Sequence, residues 1–519
     1  MPSLLKSTSV VGLMTFLSRL TGFIRDMLMA VLFGATAGMD AFLIAYQIPN
    51  FLRRMFAEGA FSQAFVPVLG ETKAKGSAAE VRELVGVTSG TLGGILLGLT
   101  ALGILAAPLL ILLFAPGFLQ EPGKYALSVE LLRITFPYLL FISLTALAGG
   151  VLNTYSRFAI PAFTPVLLNL CMIGAALWLA PQFEQPVVAL ALGVFVAGVV
   201  QLAFQFPFLR RIGMLPRPRW GWRDSRVRKI LRLMLPVLFG SSVSQLSVLL
   251  NTIITSTLIT GSVSWLYYAD RLMEFPLGIF SVAIATVILP ALSARHAEAS
   301  HAHFSQTLDW ALRLLLLIVV PAAVGLFVLA GPMVATLFQY KSFTAQDTVM
   351  TRYALMAYAL GLLSFSLVKV LLPGYYARQD TRTPVRYGVI ALSIGMVMSL
   401  SFGLGLKAAG WVAPHAGLAL ATSLGALLNA GLLFRGLRRS GAYQPAGDWL
   451  RFGAQVALAA VVMGGLLWWL AGDLALWQGW GLRERVWRLA QLIALGFATY
   501  AGLLMLTGLR PRDLSAPRH

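Results

Sequence analysis

The sequence has one cysteine among 519 residues, Cys171, set inside the apolar run VLLNLCMIGAALWLA. No intrachain disulfide can hold the fold, and nothing about the redox compartment follows. Charge is also scarce: 12% of residues are Asp, Glu, Lys or Arg against 58% hydrophobic, with a mean hydropathy of +0.79. No soluble core needs that much apolar sequence, so the chain reads as a polytopic membrane protein. Acids are the scarcest charge, 20 against 40 basic residues, for a net +20. The basic residues fall in short loops between apolar stretches rather than on one soluble face, so no nucleic-acid partner is expected. The sequence lacks a Gly-x-x-x-x-Gly-Lys-Ser/Thr motif, which excludes ATP hydrolysis by that route. No Ser/His/Asp or paired-carboxylate constellation stands apart from charges inside the apolar spans, so an enzyme is not expected. His296, His301 and His303 in RHAEASHAHF look metal-like. Their separations do not share a helix face, and the expectation is a solvated loop with no metal.

What is present in abundance is apolar sequence in span-sized pieces. About 20 apolar residues cross the hydrocarbon core as a helix. That ruler gives about fourteen spans, beginning near residues 8, 38, 84, 130, 160, 186, 230, 265, 310, 352, 385, 412, 451 and 487. The N-terminus, with Lys6 before an apolar run from Val10, imitates a secretory signal. No small-x-small site follows before Arg19, so it is read as a retained first span. Orientation follows from the basic loops. The sixth connection carries Arg210, Arg211, Arg217, Arg219, Arg223, Arg226, Arg228, Lys229 and Arg232 against Asp224, while the loops on the opposite side hold only Glu121, Lys124, Glu184, Lys341, Asp347 and Lys407. Both termini are expected in the cytoplasm.

The chain also resembles itself at a separation of about 223 residues, a check that precedes any assignment of fold. APLLILLF from Ala107 aligns with GPMVATLF from Gly331, VPVL from Val66 with LPAL from Leu289, and SLTALAGGVLNTYSR from Ser143 with SFSLVKVLLPGYYAR from Ser364. Each copy holds six spans, an even number, so the copies share one orientation. Parallel repeats of this kind build two-lobed transporters with a site between the lobes. The expected fold is therefore an all-α polytopic membrane protein: an N-terminal lobe over 1–222, a C-terminal lobe over 223–445, and two further helices over 446–519.

The first span, GLMTFLSRLTGFIRDMLMAVLFG, carries Arg19, Arg25 and Asp26 in its middle. Each charge at the centre of a span costs roughly 2.5–3.5 kcal/mol on the insertion scale, so the three must face protein or water. Helical spacing puts Arg19, Gly22 and Asp26 in one row and Ser18, Gly22 and Arg25 in the next, forming a single polar stripe. The second span repeats the pattern with Asp40, Arg53, Arg54 and Glu58, and Pro49 is expected to kink it and free carbonyls beside a cavity. Its repeat partner, the eighth span, holds Asp270, Arg271 and Glu274, then Pro276; Lys369 is an isolated case in the tenth. Arg54 with Glu58, Arg271 with Glu274, and Arg25 with Asp26 read equally as structural pairs or snorkelling interfacial residues. Pairing does not absorb Arg19, Arg25, Arg53 and Arg271 together. A planar guanidinium holds phosphate oxygens bidentately and keeps its charge when partly desolvated, so the expected ligand is a phosphate or diphosphate.

The stretches SRLTGFIRD, DAFLIAYQIPNFLRRMFAEGAFSQAFVPVL, GSVSWLYYADRLMEFPLGI and GYYARQDTRTPV closely resemble the MurJ (MviN) lipid II flippases of bacterial peptidoglycan synthesis, within the MOP exporter superfamily. The resemblance runs from about Lys6 to Arg439 and more loosely beyond. It implies a carrier of undecaprenyl-diphosphate-linked disaccharide-pentapeptide from the cytoplasmic to the periplasmic leaflet of the inner membrane. It further implies fourteen helices, a cationic cavity lined by helices one, two, seven and eight, and a groove for the lipid tail on helices thirteen and fourteen. The family's cavity arginines match Arg19, Arg25, Arg53 and Arg271, and its acidic positions match Asp26, Asp40 and Glu58. No cofactor is implied; coupling would come from membrane potential or a cation. No compact carboxylate cluster lies in spans seven and eleven to hold sodium. Lipid II, membrane lipids and cell-wall synthesis machinery are the implied partners of a monomer. The rivals are a cation-coupled multidrug exporter of the same superfamily and a membrane scaffold whose buried charges merely hold helices together.

Overall fold

The structure is a computed structural model. It describes residues 2–55, 61–278, 284, 288–293 and 301–509, without the side chains of 2–9, 237–244 and 301. Helices dominate, and no strand occurs among the described residues. The first copy of the repeat comprises α1 (Pro2–Phe33), α2 (Ala37–Arg53), α3 (Ser62–Lys75), α4 (Ala78–Leu105), α5 (Ala107–Phe114), α6 (Pro122–Thr135), α7 (Tyr138–Thr154), α8 (Ala159–Gly174) and α9 (Val187–Arg211). There follow α10 (Ser225–Ser256), α11 (Ser262–Pro276), α12 (His301–Val328), α13 (Ala330–Leu337), α14 (Ala345–Tyr376), α15 (Arg382–Ala408) and α16 (His415–Arg439). The chain ends in α17 (Trp449–Ala471), α18 (Leu474–Gly479) and α19 (Leu482–Leu506).

The internal repeat is visible in these boundaries. α1 and α10, α4 and α12, and α5 and α13 all begin 223 residues apart. The short α5 and α13 interrupt both copies at the same place. Among the described residues, ten helical segments are long and apolar enough to cross a membrane. The spans expected near residues 8, 38, 230 and 265 fall on α1, α2, α10 and α11, which are not among those ten.

Local signals set the element ends. Ser77 and Glu80 form a capping box at the start of α4, and Thr344 and Asp347 form another at α14. Thr36 caps α2, accepting from the Met39 amide at 3.2 Å. Pro49 lies within α2 and removes the amide that would bond the Ala45 carbonyl. That carbonyl is not left free beside a cavity as expected: the Thr135 hydroxyl of α6 donates to it at 3.0 Å. A partner from the neighbouring helix therefore supplies the missing hydrogen bond.

By contact the chain divides into two compact units, Met1–Ser264 and Trp265–His519. In the first, α2 packs on α6, α7 and α9, and α8 packs on α1 and α9. Polar glue supplements this packing, since lipid-embedded helices gain little from apolar contact alone. Gln201 of α9 donates to the Thr164 carbonyl of α8 at 2.8 Å, and Gln205 to the Thr145 carbonyl of α7 at 3.1 Å. α10 packs on α3, α4, α5 and the 3-10 turn Pro116–Gln120. Contact and repetition thus partition the chain differently, because α10 opens the second copy yet lies against helices of the first.

In the second unit α14 packs on α12 and α16, and α15 on α16. α17 and α19 pair with each other and rest on α12 and α13. Arg485 of α19 is buried and donates to the carbonyls of Ala335 (2.7 Å), Gln339 (3.0 Å) and Gln478 (2.9 Å). A cation thereby meets the negative end of α13.

Candidate functional site

The polar stripe of α1 faces two ways. Arg25 is 8% exposed and Asp26 3%. Two nitrogens of the Arg25 guanidinium, Nε and Nη2, reach Asp26 Oδ1 at 2.9 and 2.7 Å, and Nη1 donates to Asn169 Oδ1 of α8 at 3.0 Å. The same Asn169 returns its amide protons to the Ser18 carbonyl and the Thr21 hydroxyl, both at 3.0 Å. Gly22 closes the row, because a Cβ there would stand 3.4 Å from Asn169 Nδ2. Ser18, Gly22 and Arg25 therefore form a helix–helix interface with α8. Arg19 lies on the adjacent row, exposed, with no ion pair among the described residues. Of the two α1 arginines, Arg19 is exposed and Arg25 forms an internal pair.

Asp40, in the first turn of α2, is 1% exposed and fully coordinated. Lys124 Nζ of α6 lies 3.1 Å from its Oδ2, and the Gly261 amide donates to the same oxygen at 2.8 Å. Oδ1 accepts from the Ser264 amide at 3.0 Å and the Ser264 hydroxyl at 2.7 Å. Lys124 in turn reaches Thr260 Oγ1 at 3.2 Å and Glu121 at 3.8 Å. Asp40 therefore caps the start of α11 while neutralising Lys124, a role in joining helices rather than in meeting ligand. At the far end of α2, the half-buried Arg53 donates to Asn50 Oδ1 at 3.1 Å, and Arg54 is exposed. Glu58 lies outside the described residues.

In the second unit Arg271 and Glu274 pair at 2.6 Å across one turn of α11, and the Arg271 guanidinium stands 5.0 Å from the Tyr267 ring. Both charged side chains keep solvent access. Asp270 is half-buried on the same helix. Pro276 ends α11, and Lys369 of α14 is exposed. No three His, Cys, Asp or Glu side chains gather as a metal site among the described residues. His296 and the His301 side chain lie outside them, and His303 is exposed.

Sequence reasoning missed Asn169 and misplaced Lys124. A lone Asn in an apolar run was a detectable signal, since a buried amide in lipid needs partners. Lys124 reads as a loop charge beside Glu121, and only the tertiary fold buries it.

A family model described as Lipid II flippase MurJ matches residues 29–490. A protein of Vibrio cholerae serotype O1 described as a probable lipid II flippase MurJ is 49% identical, over 99% of this chain and 98% of its own. A solved structure described as lipid II flippase MurJ in an inward closed conformation superposes with a TM-score of 0.80 at 27% identity, covering 97% of this chain and 99% of that one. An inward-facing multidrug resistance MATE transporter of the MOP superfamily shares the fold alone, with a TM-score of 0.61 at 16% identity over 82% and 95% of the two chains. The match of family model and relative over nearly the full length, on a helical fold with charged residues set into its spans, places this chain in the lipid II flippase MurJ family.

Proposed function

We propose that this chain carries lipid II, undecaprenyl-diphosphate-linked disaccharide-pentapeptide, from the cytoplasmic to the periplasmic leaflet of the bacterial inner membrane. Both termini lie in the cytoplasm, as the basic loops require. The observation that carries the reading is family membership over almost the whole chain. The arginines support it. Arg19 is exposed within a span, and Arg271 is held by a solvent-accessible pair that an anion can displace. Arg53, bonded to Asn50, adds a third guanidinium, and Arg25, paired with Asp26, is a fourth that would have to exchange that carboxylate for the diphosphate. Together they attract the diphosphate while the prenyl tail stays in lipid, and α17 and α19 guide that tail.

Transport proceeds by alternating access, with the repeat copies 1–222 and 223–445 as the moving lobes and 446–519 beside them. Separation of the periplasmic ends requires the Asp40 network to release Gly261 and Ser264, whose bonds are each replaceable by water. The protein works as a monomer without a cofactor, driven by membrane potential or a cation, beside the cell-wall synthesis machinery. A multidrug exporter of cations is disfavoured by arginine-rich spans, and a scaffold would leave Arg19 without a purpose.

The deciding measurement is flipping of fluorescently labelled lipid II in vesicles holding the purified protein. Protein-dependent access of the label to an impermeant quencher is expected. Well-folded protein that leaves the label where it started would sink the proposal.

A further inference from the structure

The connection between α9 and α10 is neither a free loop nor a helix. From Met214 to Gly221 it runs along α4 without regular secondary structure. α4 meets it with Gly86, Gly90 and Gly94, one per turn on a single face. A Cβ on Gly86 would stand 2.8 Å from the Arg217 carbonyl oxygen, one on Gly90 would collide with the Arg219 backbone, and one on Gly94 would stand 2.7 Å from the Trp220 ring. The Arg219 amide donates to the Gly86 carbonyl at 3.0 Å and the Gly221 amide to Thr91 Oγ1 at 3.0 Å. Arg82 Nε holds the Gly213 carbonyl at 2.9 Å. The glycine row, which alone would suggest a dimerising helix face, is filled by the protein's own chain, with backbone at Gly86 and Gly90 and the Trp220 ring at Gly94.

Met214 anchors this pinned strap in the core, while its arginines face outward. Arg217, Arg219 and Arg223 are exposed and make no ion pair among the described residues. The neighbouring acids are already engaged. Arg226 reaches Asp224 at 2.9 Å and Glu83 at 3.2 Å, Glu71 takes Lys75 and Lys229, and Glu80 closes the α4 cap. Arg226 holds the Asp224 carboxyl below the usual carboxylate range, so it stays ionised and occupied at neutral pH. Trp220, 65% exposed, and Trp222 stack with centroids 6.5 Å apart between these arginines. Glu83 is the last charge of α4, so Gly86 to Gly94 cover its first apolar turns. Non-helical backbone at that depth is tolerated because α4 satisfies it. Indole rings favour this level of a bilayer, and arginine stems are long enough to snorkel back to it.

We propose that the strap Met214–Arg223 is a docking surface for anionic phospholipid headgroups on the side of the membrane that holds the basic loops. Arg217, Arg219 and Arg223 pair with headgroup phosphates, and Trp220 and Trp222 sit at the acyl boundary. The glycine ridge fixes the spacing of the three guanidinium groups, which a mobile loop would spread. The surface includes none of Arg19, Arg53 and Arg271 and does not depend on what the protein transports.

The test uses the full chain with Cys171→Ser and Leu215→Cys, the latter carrying a small fluorophore, in nanodiscs of phosphatidylcholine with a minor fraction of brominated phosphatidylglycerol or brominated phosphatidylcholine. Brominated phosphatidylglycerol should quench at roughly tenfold lower mole fraction, an advantage that shrinks as salt rises. Arg217→Gln, Arg219→Gln and Arg223→Gln together should erase the difference. Gly90→Leu, which evicts the strap while keeping every arginine, should also erase it. Equal quenching by the two lipids in the starting protein, or a preference surviving in the triple Gln variant, would overturn the proposal. A preference surviving in folded Gly90→Leu would overturn the role of the pinned backbone.

Discussion

At the scale of residues, arginines of one type separate into different physical situations. Arg19 is exposed on a span, whereas Arg25 is buried against Asp26 and Asn169. Removing the Arg19 charge makes insertion easier and strands no carboxylate, so Arg19→Ala should accumulate normally. It should nevertheless lose lipid II flipping, because a charge-assisted contact worth about 1.5–3 kcal/mol is gone, and Arg19→Lys should recover only part. Arg25→Ala strands Asp26 and should lower the melting temperature of the purified protein, with Asp26→Ala added in the same chain restoring it. Equal stability of both single variants would mean that the Arg25 pair holds nothing together. Adjacent opposite charges made the Arg25–Asp26 pair legible in the sequence, and helical spacing gave the polar stripe. Which of its rows meets α8 was not legible, because the deciding partner, Asn169, lies 144 residues away.

At the scale of elements, the charged helices are tied by nodes at their ends. Asp40 joins α2, α6 and the start of α11 through Lys124, Gly261 and Ser264. Lys124→Ala leaves a carboxylate buried without its cation, which costs about 3–5 kcal/mol in buried pairs. Thermal unfolding should show that loss, and Asp40→Asn in the same chain should recover much of it, since a neutral amide needs no counterion. A Lys124→Ala protein as stable as the parent would remove the node from any account of the fold. The donor removed by Pro49 was legible, but its repair was not: Thr135 meets the Ala45 carbonyl only once α6 is packed. The strap on α4 shows the same divide. The one-per-turn glycines are plain in the sequence, whereas a non-helical partner for them comes only from tertiary structure.

At the scale of the whole molecule, ten span-length apolar helices among the described residues fall where apolar runs predict them, and α4 and α12 keep the 223-residue offset of the repeat at both ends. Division into compact units was not legible, since α10 follows its neighbours rather than its repeat copy. Orientation is testable directly. A reporter fused after Arg219 should be active on the cytoplasmic side and one after Gly261 on the periplasmic side. The same side for both would break the even-span topology. The Asp40 node also has a consequence for how the protein is made. Asp40 is synthesised 84 residues before Lys124 and 224 before Ser264. At roughly 5–20 residues per second, it waits about 4–17 s for its cation and about 11–45 s for its hydroxyl partner. Over that interval α2 carries an unneutralised carboxylate next to an apolar helix. It must stay near the water-accessible insertion machinery until α6 arrives, so the first helices are released to the lipid as a group rather than one by one.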